Sequence, residues 1–282
     1  MSKEKTTNAA SQTGIAASNE TPEPAANGGG YIVTNLSGVP ANYRGVFVKA
    51  QTRINNFIRT KKRRVRINGK VVLVGINIDA SVRPIDGPGG VLGRAGPTAV
   101  ASSDRLPVTG IMQFDIADLA EMARRGTLED VILHEMLHVV GSGTLWAYKG
   151  LIVGAGGSNP RFMGRNAIAE YRRISPGNPT SIPVEGDGGQ GTRDSHWDER
   201  AFGDELLTGF LSGRKRPLSR MSLASLVDMG YQIDLRKADP YRLPSLEEGM
   251  MSSILHAPYI MERPDFDVFD AIDNAQDFDD AA

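Results

Sequence analysis

Residues 127–141 read TLEDVILHEMLHVVG, and this stretch decides the architecture. Val131, Ile132, Leu133, Met136, Leu137, Val139 and Val140 make it apolar almost all round. A helix with that pattern belongs in a core rather than on a surface. Thr127 and Asp130 stand at the N-cap and N3 positions of a weak capping box, and Gly141 is a natural C-terminal stop. Inside the run lies His134-Glu135-Met136-Leu137-His138, an H-E-x-x-H pattern. Positions i and i+4 share one helix face, so both imidazoles can reach one ion, while Glu135 stands where it can act on water rather than on the metal. A pair of surface histidines on a solvated helix is the competing reading. It fails on cost, because an apolar helix does not bury two His and a Glu without partners for them.

A catalytic zinc needs a third protein ligand and one open position. A short H-E-x-x-H-x-x-G-x-x-H motif would put the third His at position 144, but that residue is Thr144. The other two histidines are His196, in SHWDERAFGDEL, and His256. Choosing His196 gathers three of the four histidines into one site. A carboxylate third ligand, with Glu170 as candidate, is the rival set; the blander role for Glu170 is a solvent-facing one beside Arg172 and Arg173.

Upstream, residues 31–36 read as a short strand. Phe47, Ala50, Ile54, Phe57 and Ile58 recur at helical spacing and predict an amphipathic helix over 44–59. The basic run Lys61-Lys62-Arg63-Arg64 reads as a solvated helix end and turn, with a nucleic-acid patch as the alternative. Strands are expected over 71–79 and 109–114, with a glycine-rich loop over 83–96 between them. That loop lacks the Gly-Lys-Ser/Thr ending of a phosphate cradle. A short helix is expected over 116–125, ending at Gly126. Downstream, short helices are expected near 166–173 and over 198–211, and a final one over 223–229, capped by Ser222 and closed by Gly230. Trp146 and Trp197 flank the metal motifs and read chiefly as core.

The chain has 282 residues, 40% hydrophobic and 23% charged, which suffices for a sizeable core. A net charge of −1 gives no electrostatic case for a nucleic-acid partner. The absence of cysteine excludes disulfides, thiolate ligands and a cysteine nucleophile. No stretch approaches the roughly 20 apolar residues of a membrane span. Residues 1–28 have no apolar signal-peptide segment, and their composition reads as a disordered tail. From Glu262 to Ala282 there are eight acids and one base, which reads as a mobile tail. The expected layout is a tail over 1–28, a catalytic domain over 29–244 with lobes at 29–140 and 141–244, and an extension over 245–282. The expected location is cytoplasmic at synthesis, with non-classical export or association with a virion as the alternative.

The chain resembles the leishmanolysin-type metzincins, particularly their bacterial relatives. The segments that carry the likeness are DGPGGVLGRAGP at 86–97, GIMQFDIADL at 110–119, HEMLHVVGSGTLW at 134–146 and DSHWDE at 194–199. DELLTG at 204–209, SLASLVDMGYQID at 222–234 and ADPYRLP at 238–244 follow in the same order. The resemblance implies an α+β zincin fold, with a twisted mixed sheet and the active-site helix in the N-terminal lobe and a loop-rich, helical C-terminal lobe. It implies one zinc ion per chain held by His134, His138 and His196, the last reached after a long insertion, with Glu135 as general base in peptide-bond hydrolysis. It also implies a substrate-binding edge strand, placed at Gly110, Ile111, Met112, Gln113 and Phe114, and a protein or peptide substrate. The family's methionine turn is less well matched: Leu223 falls at the aligned position, and Met221, two residues away, is the candidate. A scaffold or virion protein holding a structural metal is the non-enzymatic alternative.

Overall fold

The computed structural model describes residues 30–67, 70–187, 189, 191–210, 216–245 and 247–250. The N-terminal tail over 1–28, nearly all of the acidic C-terminal extension, and His256 lie outside the described residues.

Four strands form the main sheet in the order β1 (Ile32–Gly38), β4 (Ile76–Arg83), β6 (Pro107–Asp115), β5 (Gly93–Val100). β1, β4 and β6 run parallel, and β5 is antiparallel to β6, so the sheet is mixed. The helix α1 (Ala41–Phe57) packs on β1, while α3 (Leu128–Val140) packs on β5 and β6, and the two helices touch. Phe47 of α1 meets Phe114 of β6 edge to face, with ring centroids 5.1 Å apart. The strands predicted at 31–36 and 109–114 therefore share one sheet with the second part of the one predicted at 71–79, and the α+β class stands.

The strand expected over 71–79 is two strands. β2 (Arg63–Ile67) and β3 (Lys70–Val74) form an antiparallel hairpin of their own, and β4 begins only at Ile76. Gly75 separates them, because a Cβ there would lie 1.9 Å from the Tyr31 carbonyl oxygen. The chain passes so close to Tyr31 that only glycine fits, and the Ile76 N–H then donates to that same carbonyl at 2.7 Å. The basic run is likewise not a helix end. Arg63 opens β2 and donates to Asp104 at 2.7 Å and to the Tyr31 hydroxyl at 2.9 Å.

The glycine-rich loop is shorter than predicted, since residues 93–100 form β5. Its Gly and Pro residues conceal a strand, and Pro97 is tolerated because β5 is the last strand of the sheet. The loop's amides face inward. Asp115 accepts from the N–H groups of Ile85, Asp86 and Gly87 at 2.9–3.1 Å, and Asp118 accepts from Gly89 at 2.9 Å. Burial opposes ionisation of Asp115, but these bonds and the one from Ala117 outweigh it and hold the carboxyl below its usual range. An external anion would find those amides already committed.

Helix α2 (Ile116–Arg125) is capped by Asp115, which accepts from the Ala117 N–H, and ends at Gly126 with φ 76°. Every residue of α3 except Glu129 is buried. Its expected capping box does not form. The Thr127 hydroxyl bonds back to the Met122 carbonyl at 3.4 Å, and Asp130 accepts from the Arg216 N–H at 3.0 Å.

Beyond α3 the chain forms short pieces: a small antiparallel sheet of β7 (Ile152–Val153), β8 (Arg161–Phe162) and β9 (Ile182–Pro183), then α4 (Arg165–Ile174), α5 (Glu199–Phe202) and α6 (Arg220–Met229). A 3-10 turn at Leu235–Lys237 follows. The helix expected over 198–211 stops at Phe202, because Gly203 leaves helical space at φ 54°, ψ −121°. The cap of α6 is Ser219 rather than Ser222; its side chain accepts from the Ser222 N–H, and the helix closes at Gly230 with φ 111°. One continuous apolar core runs from Tyr31 through α3 to Tyr231.

Candidate metal centre

His134 and His138 stand one turn apart on α3, and their Nε2 atoms are 2.8 Å from each other. His196 Nε2 lies 3.1 Å from both. All three rings are buried. The sequence pattern therefore brings its three candidate histidines to a single point, and among the described residues theirs is the one cluster suited to an ion.

The other ring nitrogens say what that point can hold. His134 Nδ1 lies 2.7 Å from the Leu206 carbonyl, His138 Nδ1 2.8 Å from the Ser142 carbonyl, and His196 Nδ1 2.9 Å from the Thr192 carbonyl. A carbonyl only accepts, so each Nδ1 carries the proton and each neutral ring presents a lone pair at Nε2. Three lone pairs at such distances have no proton to share, but they suit a cation. Tetrahedral zinc with bonds of about 2.0–2.1 Å would spread its nitrogen ligands to roughly 3.3 Å, close to what is observed. Burial, reinforced by the other two imidazoles, holds His134 far below the usual histidine range, which keeps it neutral and ready to ligate.

Two glycines bring His196 to the helix. Gly141 ends α3 in the left-handed conformation at φ 111°, which turns Ser142 back so that its carbonyl reaches His138. At Gly143, with φ 74°, a Cβ would lie 1.9 Å from the Ser195 carbonyl oxygen. The strand of chain that carries His196 thus crosses directly over Gly143. Thr144, where a short motif would have placed the third ligand, donates its hydroxyl to the His138 carbonyl at 2.7 Å. The far side of His196 is pinned by backbone bonds, from Glu185 N–H to the His196 carbonyl and from Trp197 N–H to the Leu207 carbonyl, both 2.9 Å.

Glu135 is fully buried, and among the described residues neither carboxylate oxygen has a hydrogen-bond partner. Burial alone raises its proton affinity well above the usual carboxylate range. It lies under the start of the edge strand: a Cβ at Gly93 would come within 3.2 Å of Glu135 Cγ. An unpartnered carboxylate between two of the three histidines in sequence is free to accept a proton.

Other predicted residues fall elsewhere. Gly110 to Phe114 are not an edge, because β6 pairs with β4 on one side and β5 on the other. The edge on that side of the sheet is β5, hidden in the sequence by its glycines and proline. Glu170 is neither a ligand nor solvent-facing. It is buried on α4 and accepts from Arg220 at 2.9 and 3.2 Å. Met221 is buried in the first turn of α6; a separate turn, Glu205 to Thr208, carries the Leu206 carbonyl that bonds His134. Trp146 and Trp197 are both core, with ring centroids 4.4 Å apart. Sequence reasoning missed Gly143, Glu205 and the Leu206 carbonyl. The first two carried a faint signal, a glycine just past the helix stop and an acid beside two leucines.

A family model described as leishmanolysin matches residues 64–242. A comparison with curated proteins gave no match.

Proposed function

Because this chain belongs to the leishmanolysin family of metallopeptidases, we propose that it is a zinc-dependent endopeptidase in which His134, His138 and His196 hold the metal and Glu135 is the general base. The observation that carries the reading is the convergence of three Nε2 lone pairs, each fixed by a backbone carbonyl at Nδ1. Three protein ligands leave one coordination position open, as catalytic sites do and closed structural sites do not. Glu135 supports an enzyme over a scaffold, since a structural metal needs no buried, unpartnered carboxylate beside it.

When bound, zinc supplies the Lewis acidity that makes water nucleophilic near neutral pH and polarises a carbonyl. The remaining work falls to the chain itself. Glu135 accepts the proton of the attacking water at a carboxylate oxygen and returns it to the leaving amine nitrogen. Its burial favours this, because a carboxylate stripped of water binds a proton more readily. The edge strand β5 offers backbone groups to an extended peptide, and Gly93 sets the first of them beside Glu135.

Elemental analysis of the wild type and of His196→Ala, with a peptide-hydrolysis assay in the presence and absence of chelator, tests the reading. The expected result is about one zinc per wild-type chain, little in the variant, and hydrolysis that stops on chelation. Full metal content in His196→Ala, or hydrolysis indifferent to chelator, overturns it.

A further inference from the structure

One turn bonds the ring of His134 and the backbone next to His196, whose own ring is bonded by the Thr192 carbonyl, and one buried acid closes that turn. The turn is Glu205 to Thr208. Its Leu206 carbonyl accepts from His134 Nδ1, and its Leu207 carbonyl accepts from the N–H of Trp197, the residue next to His196. Glu205 is completely buried, and its carboxylate accepts three hydrogen bonds. One oxygen takes the Leu207 N–H at 2.6 Å. The other takes the Ser219 N–H at 2.9 Å and the Ser222 hydroxyl at 2.5 Å. Ser222 Oγ in turn accepts from the Trp197 indole N–H at 2.8 Å. The carboxylate therefore closes its own turn, ties that turn to the N-terminus of α6, and reaches Trp197 through Ser222. Arg216, buried alongside, donates to the Thr208 hydroxyl and supplies opposite charge.

We propose that Glu205 is a positioning residue of the metal centre, which fixes the Leu206 carbonyl that orients His134 and the Trp197 segment that orients His196. The inference rests on the metal-site reading above. His138 is the internal contrast, since its anchor, the Ser142 carbonyl, belongs to the turn after α3 and owes nothing to Glu205. A carboxylate is needed because all three neighbours donate. Glutamine keeps the size but presents an NH₂ to at least one N–H, so one side of the clamp must open. Partners of this kind around a metal typically change affinity by about 10–100-fold when they are lost.

The test measures zinc affinity of the full chain by chelator competition, the visible spectrum of the cobalt-substituted protein, and thermal stability without metal. The expected result for Glu205→Gln is an affinity about 10–100-fold weaker, with a changed cobalt spectrum. Ser222→Ala, which removes one of the three donors to Glu205 and with it the link to Trp197 but leaves the Leu207 and Ser219 N–H bonds, should show a smaller change of the same kind and covers the case in which Glu205→Gln fails to fold. A role confined to general stability would lower the melting temperature while leaving affinity and spectrum as in the wild type. That result in Glu205→Gln, or in Ser222→Ala should the first variant not fold, overturns the inference. If the wild type itself binds no zinc, the metal-site reading has failed instead.

Discussion

The two halves of the metal centre are built in opposite ways. His134, Glu135 and His138 sit on a regular apolar helix, where an i, i+4 spacing is enough to align two rings. His196 sits on irregular chain, held by backbone bonds to 185 and 207 and by a crossing over Gly143. The helical half is specified locally and the other half by contacts far apart in sequence. Damage to the first should therefore act directly on chemistry, and damage to the second should act through position.

The largest effect is expected from His138→Ala. Removing a ligand should abolish measurable zinc binding in elemental analysis and bring hydrolysis to background; retained metal would break the assignment of the helical half. Glu135→Gln comes next. It should keep its metal but lose about 10²–10⁴-fold in rate, the usual worth of general-base help. Equal rates for it and the wild type would sink the proposed base. Gly143→Ala probes the irregular half without touching a ligand. It forces a side chain into a left-handed conformation and against the Ser195 carbonyl, so a loss of at least about 2 kcal/mol in urea unfolding is expected, with weaker zinc binding. The smallest effect belongs to a site remote from the histidines. Asp228 accepts from the Asn166 and Ala167 N–H groups, both at 2.9 Å, and so caps α4 from a neighbouring helix. Asp228→Ala should cost about 1 kcal/mol of stability and leave zinc affinity unchanged. A matching fall in affinity would show that the irregular half transmits strain further than its hydrogen bonds suggest.

The same contrast decides what could be read from sequence. Helix α2, its stop at Gly126, the burial of α3 and the turn at Gly141 follow from periodicity and local capping, and the structure agrees with each. The resemblance pointed to His196, and its ring does meet the other two. What escaped was set by distant neighbours. Gly75 splits a run of Val and Ile because Tyr31 passes within contact distance. The residues GRAGPTAV form a strand because β6 lends them hydrogen bonds that their own propensity does not favour. The resemblance placed the edge on β6, and reading 83–96 as loop left no strand outside it. Glu205 looked like one more polar position of a helix, whereas its three donors come from residues 207, 219 and 222. An acid fully enclosed by donors has no periodic signature.

If substrate pairs with β5, the last strand of the sheet, as proposed above, that strand sets a condition on whatever is cut. A chain laid along that edge, with Glu135 beneath its first residue, must itself be drawn out straight, with its amides unclaimed. A segment wound into a helix, or already zipped into a sheet, offers nothing to pair with. The first discrimination under that proposal would be between slack and folded chain, before any side chain is read. Loops, linkers and unravelling proteins would come within its reach, and well-folded neighbours with the same residues would pass untouched.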